Sequence, residues 1–141
     1  MPAQLPLPAA VATTRERIVA AAVACDYEAM AKLGREGGAE LKFTLGPGMD
    51  PAAFWREREL AGEPMLARIV KVFDRPAYRD GNMYVWPSAL REGATAEDWA
   101  RLEGLYPPDE LAAMRQEALG YTGIRVGISE NGAWQLALEG E

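Results

Sequence analysis

The residues best suited to recognition chemistry are aromatics and arginines that fall in three groups. The densest is Trp55-Arg56-Glu57-Arg58-Glu59. An indole such as Trp55 offers a planar face, and an arginine such as Arg58 offers a forked donor for a carboxylate or a planar ligand. The plainer reading makes this a solvated helix face with Trp55 anchored in the core, because helix faces ordinarily carry such charges. The second group is Tyr84-Val85-Trp86-Pro87. Strand alternation puts Tyr84 and Trp86 on one face, where they either line a cleft or pack with their polar tips hydrogen-bonded. The third is Tyr121 with Arg125. Arg125 stands between the inward-facing Ile124 and Val126, so it points to the opposite face of its strand. A concave sheet would make it an anion contact, whereas a face turned to water would give it no special role. Trp55, Arg58, Tyr84, Trp86, Tyr121 and Arg125 are therefore the candidate ligand-binding residues.

Catalytic alternatives are narrow because the chain has no histidine. Serine–histidine and cysteine–histidine pairs are excluded, as are histidine-ligated metals. Acid–base chemistry near pH 7 would require a carboxylate of shifted pKa, supported by Tyr84 or Arg58. The single cysteine, Cys25, cannot form an intrachain disulfide and reads as a buried, inert thiol. Glu36, Glu40, Glu139 and Glu141 lack metal-loop spacing and are assigned to solvent. Neither a phosphate-binding loop nor a dinucleotide glycine pattern is present, and no cofactor or metal is expected.

The elements that must position these residues follow from patterning. The 141 residues are 49% hydrophobic and 26% charged, the composition of one globular domain. An arm over residues 1–7 leads to a domain over 8–141. A helix is predicted from Pro8 to about Ala24, then a second from Tyr27 to Arg35 capped by Asp26 and closed by Gly37-Gly38. Glu40–Leu45 alternates as a strand and Gly46-Pro47-Gly48 turns. Asp50-Pro51 starts a third helix, and Pro64 a fourth bearing Met65, Leu66, Ile69, Val70 and Phe73. Met83–Trp86 is a strand ended by Pro87. Ser88 to Gly93 holds one helical turn, and Thr95 with Asp98 forms a partial capping box. After Pro107-Pro108, Asp109 caps a last helix with Leu111, Met114 and Ala118 inward. Asn131-Gly132 closes a terminal hairpin through a type I′ turn, with Ile124, Val126 and Ile128 alternating before it and Trp134, Leu136 and Leu138 after it. The fold class is α+β: a small curved antiparallel sheet with a C-terminal hairpin and helices packed on one face.

The opening Ala24-Cys25-Asp26-Tyr27-Glu28-Ala29-Met30-Ala31-Lys32-Leu33 and the closing Asn131-Gly132-Ala133-Trp134-Gln135-Leu136 resemble the nuclear transport factor 2-like (NTF2-like, SnoaL-like) superfamily. They cover about a third of the chain. That resemblance implies a cone-shaped pocket, but the middle departs from it, placing helices where the superfamily has strands. Its aspartate–histidine catalytic pair has no counterpart here. Asp50–Arg56, Tyr84–Pro87 and the ending are also similar to an uncharacterised bacterial domain family of no assigned activity.

The formal net charge of −6 repels phosphate backbones and anionic lipid, so nucleic-acid binding is not expected. No apolar run reaches the length of a membrane span. Arg15 and Arg17 before Ile18–Cys25 loosely resemble an exported lipoprotein signal, but the stretch reads better as an amphipathic helix. The compartment is cytoplasmic by default. Three functions stay open: a non-catalytic module for a small molecule or protein partner, a small carboxylate enzyme, and an accessory subunit that self-associates, for instance as a homodimer.

Overall fold

The computed structural model describes residues 6–36, 41–43, 50–117 and 120–139. The first two helices, α1 (Ala9–Val23) and α2 (Tyr27–Glu36), meet at a tight corner. The Asp26 N–H donates to the Ala21 carbonyl at 2.9 Å and the Cys25 N–H to that of Ala22 at 3.0 Å. This crossed pair of bonds ends a helix through a left-handed residue, usually glycine. Here that residue is Cys25, at φ 54°. Its thiol is therefore exposed, which corrects the expectation of a buried one. Asp26 then caps α2, its carboxylate accepting from the Ala29 N–H at 3.0 Å.

Asp50 and Pro51 start α3 (Pro51–Leu60) as anticipated, with the Asp50 carboxylate accepting from the Ala53 N–H at 3.1 Å. Helix α4 (Met65–Val72) buries Met65, Leu66, Ile69 and Val72 at helical spacing. The chain continues through β1 (Tyr78–Asp80), β2 (Met83–Trp86), a 3₁₀ turn at Ser88–Leu90, α5 (Ala96–Ala100), α6 (Pro108–Gln116), β3 (Arg125–Ser129) and β4 (Trp134–Leu138). The four strands form an antiparallel sheet in the order β1-β2-β3-β4. The fold is α+β with a C-terminal hairpin, as the patterning predicts. Beside β4, Lys42 pairs in parallel with Leu136. Its N–H donates to the Gln135 carbonyl at 3.0 Å, and its own carbonyl accepts from Ala137 at 2.8 Å. Of the expected Glu40–Leu45 strand, Leu41 is buried and Phe43 half-buried, and only Lys42 is paired; Glu40, Thr44 and Leu45, the Gly37-Gly38 cap and the Gly46–Gly48 turn lie outside the described residues.

Register decides which side chains reach the core, because cross-strand partners share a face. Tyr84 faces Ile128, Trp86 faces Val126, Ile128 faces Trp134 and Val126 faces Ala137. Helices α1, α2 and α4 pack against this sheet. Ile18, Met30, Trp55, Ile69, Phe73, Trp86, Val126 and Ile128 have no solvent exposure. Each such large side chain contributes about 1.5–3 kcal/mol from burial. The β3–β4 register shifts between Gly127 and Ile128. One extra residue in β4 leaves Trp134 and Ala137 on the helix side, while Leu136 and Leu138 oppose Gly127 and Arg125 on the other.

The hairpin turn differs from the type I′ expectation. Only Gly132 has positive φ, at 93°. The Gly132 N–H donates to the Ser129 carbonyl at 2.8 Å and the Ser129 N–H to the Ala133 carbonyl at 2.8 Å. This is a type I turn followed by a left-handed glycine, the usual three-residue hairpin loop. The Asn131 side chain is committed to the Ser129 hydroxyl. The turn is pressed on α1, where the Thr14 hydroxyl donates to the Gly132 carbonyl at 2.6 Å. Strand β1 was not anticipated, since Tyr-Arg-Asp has no apolar alternation.

Candidate functional site

The end of the sheet where β2 leaves and β3 enters carries most of the polar and aromatic chemistry. Trp86 pairs with Val126 there, and Arg125 with Leu138. Three sets of side chains tie this end together, the second and third meeting at Glu139.

Asp98 is the first tie. It is buried, with one carboxylate oxygen accepting from the Ser88 hydroxyl at 2.8 Å. The other accepts from Arg91 Nε at 2.9 Å and Nη2 at 2.8 Å, and from the Thr95 N–H at 2.8 Å. Thr95 returns a bond by accepting from the Asp98 N–H at 3.2 Å. The capping box expected from Thr95 and Asp98 is thus complete with an aspartate in place of the usual glutamate. Burial would raise the Asp98 carboxyl, but the Thr95 N–H, Arg91, Ser88 and the Thr95 hydroxyl outweigh it and hold it below the usual carboxylate range.

Tyr106 and Tyr121 form the second tie. The Tyr106 hydroxyl donates to the Glu139 carboxylate and accepts from the Ile124 N–H at 2.7 Å. The Tyr121 hydroxyl donates to the Ile124 carbonyl at 2.7 Å. Both phenols are shifted upward, chiefly by burial, with Glu139 adding to it at Tyr106 and the neighbouring Tyr106 adding to it at Tyr121. The third tie is Arg68, which pairs with Glu139 at 3.0 Å and lies over the Tyr106 ring at 4.9 Å. Glu139 was assigned to solvent, yet its side chain is only 20% exposed. Its position one residue beyond β4 gives no sequence signal of these contacts.

Against this scaffold, α6 behaves unlike the other helices. Pro107 holds the N-cap and Pro108 the first helical position, so Asp109 is not the cap but the second helical residue. No residue of α6 is buried; Leu111 and Met114 are half-buried, and Ala118 lies outside the described residues. Between α5 and α6 runs a groove. One end, of about 510 Å³, is lined by Ala96, Trp99, Ala100, Leu111, Arg115 and Gln116. The other, of about 350 Å³, shares Trp99, Ala100 and Leu111 and adds Glu103, Tyr106 and Pro108. Both volumes lie in the range of small-molecule pockets. The Trp99 ring meets Tyr121 edge-on at 6.3 Å, which fixes the groove wall to the second tie.

The six candidate residues have separate surroundings. Trp55 stacks on Trp134 with centroids 5.7 Å apart and planes 8° apart, at the opposite end of the sheet. Arg58 is exposed, lies over Phe54 at 5.5 Å and pairs with Glu63 at 3.3 Å. Tyr84 is buried under Arg79, 5.7 Å from its ring. Trp86 is fully buried with Phe73 edge-on at 5.0 Å. Only Tyr121 and Arg125 share a neighbourhood through their electrostatic contact, with Tyr78 also near Arg125. The groove residues Trp99, Leu111 and Arg115 were read from sequence as core or not singled out. A half-apolar helix directly after Pro-Pro was the available signal. Among the described residues no cluster of acidic or cysteine side chains could hold a metal, and no helix is long and apolar enough to cross a membrane.

No protein-family model, curated protein or solved structure matches the chain.

Proposed function

We propose that the protein is a non-catalytic binding module whose small-molecule ligand lies in the groove between α5 and α6. The carrying observation is Trp99. Of the four tryptophans, Trp55, Trp86 and Trp134 are at most 1% exposed, whereas Trp99 is only partly buried and lines both ends of the groove. An indole face beside Leu111 and Pro108 suits an apolar or planar body. The chemistry around it supports binding over catalysis. Asp98 is held ionised, and Tyr106 and Tyr121 are held protonated, so these groups are driven away from the neutral range a general acid or base needs. Among the described residues, the accessory-subunit reading has only Leu60 and Val23 as large exposed apolar side chains, and single exposed residues of that kind are ordinary.

The test is a titration with N-phenyl-1-naphthylamine, a neutral apolar dye that brightens when it leaves water. Saturable, blue-shifted emission from the native protein is expected. Trp99→Ala should weaken it at least about tenfold, the loss of one aromatic contact surface, with the unfolding transition kept cooperative. Dye binding that is absent, or unchanged in the variant, overturns the reading.

A further inference from the structure

The ends of the groove differ in charge. Of the twelve arginines in the chain, ten are engaged: with carboxylates, with backbone carbonyls or through other contacts. Only Arg35 and Arg115 show no ion pair or hydrogen bond among the described residues. Arg115 lines the wider end of the groove, next to the Gln116 amide. Glu103 lines the narrower end together with Pro108, the first residue of α6, whose first turn also carries Asp109 and Glu110. The apolar wall of Trp99, Ala100 and Leu111 is common to both.

We infer that the groove selects an amphiphilic carboxylate, such as a medium-chain fatty acid or an aryl-alkanoic acid. The inference rests on the binding reading above and adds the ligand's chemical class and orientation. The carboxylate meets the Arg115 guanidinium, which offers parallel N–H donors in the geometry of two carboxylate oxygens, and Gln116 supplies a further donor. The hydrocarbon body lies along Trp99 and Leu111 toward Pro108, where Glu103 disfavours the reverse orientation. A chain of about ten heavy atoms fits such a volume. The net charge of −6 opposes any anion at long range, so selection must come from Arg115 at contact distance, within the screening length of the buffer.

Octanoate, 1-octanol and octylammonium share one chain length and differ in the head group alone. Each is titrated against bound N-phenyl-1-naphthylamine. Octanoate should displace the dye about three- to fivefold more tightly than octanol, the range of a solvent-accessible ion pair. Octylammonium should be weakest. Arg115→Gln should bring octanoate to the level of octanol without altering octanol itself. Arg35→Gln removes the same charge elsewhere and should leave the ratio intact. Equal binding of octanoate and octanol, an unchanged ratio in Arg115→Gln, or preference for octylammonium overturns the inference while leaving the groove a binding site. Failure of the dye itself to bind overturns the underlying reading instead.

Discussion

At the end of the sheet near Trp134, Trp55 and Trp134 stack almost parallel, with Phe43 and Phe54 grouped beside Trp55. At the other end, Asp98 gathers Ser88, Arg91 and Thr95, and Glu139 gathers Tyr106 and Arg68. The first region is held by apolar area and ring contacts, which tolerate no water and are indifferent to pH. The second is held by directional bonds around two carboxylates, with an unburied helix lying across it. Packing of the first kind builds a rigid platform. Bonds of the second kind fix a few anchor points and leave a groove between them. A binding surface is better placed on the second, because shape there can adjust without emptying the core.

The largest loss of stability is expected at the platform. Trp55→Ala should cost about 3–5 kcal/mol, the usual range for emptying a buried aromatic site, read as a lower urea midpoint. The Trp55 indole N–H has no acceptor among the described residues, so Trp55→Phe should recover much of the loss. At the groove end, Asp98→Asn should cost about 2–3 kcal/mol, since an amide turns a donor toward Arg91 or Ser88. Its pH signature separates it from Trp55. The Asp98 carboxyl lies lower in the folded chain than in the unfolded one, so its stabilisation is complete above the unfolded value near about 3.9. It disappears as pH falls from there through the folded value. Asp98→Asn should therefore flatten that acid limb, whereas Trp55→Ala should shift the whole curve down.

Two smaller effects separate the corner at Cys25 from the groove. Cys25→Gly should raise stability by about 1 kcal/mol, the cost of a left-handed backbone at a residue with a side chain. Thermal unfolding would show it as a higher midpoint. Leu111→Ala should cost less than about 1 kcal/mol, because its half-buried side chain leaves little cavity, yet it should weaken dye binding. A large stability loss there would mean that α6 belongs to the core.

How much of this was legible depended on whether one local rule was in force. Asp50-Pro51 before Ala53 specifies a helix start unaided, and the spacing of Met65, Leu66, Ile69 and Val72 specifies its buried side. The alternation of Val126 and Ile128 likewise named the sheet face that meets the helices. Where two rules competed, sequence misled. Asn131-Gly132 fits a two-residue turn, but the Asn131 side chain bonds to Ser129 and α1 presses on Gly132, and a three-residue loop results. Cys25 has apolar character, yet the corner between α1 and α2 needed a left-handed residue there. The groove was hidden for another reason. Trp99 and Leu111 carry the same letters as core residues, and only the groove they line between α5 and α6 shows that neither is fully covered.

The parallel pairing of Lys42 with Leu136 bears on how these molecules meet one another in concentrated solution. A sheet's outermost strands offer unpaired amides and carbonyls to any passing chain. Next to β4, the Lys42 backbone takes up the Gln135 carbonyl and the Ala137 amide, and its charged side chain is exposed. At the opposite margin β1 is three residues long and carries Arg79 and Asp80 toward solvent. Among the described residues neither margin presents a long, flat, uncharged ladder, an arrangement that guards the sheet against strand-to-strand aggregation.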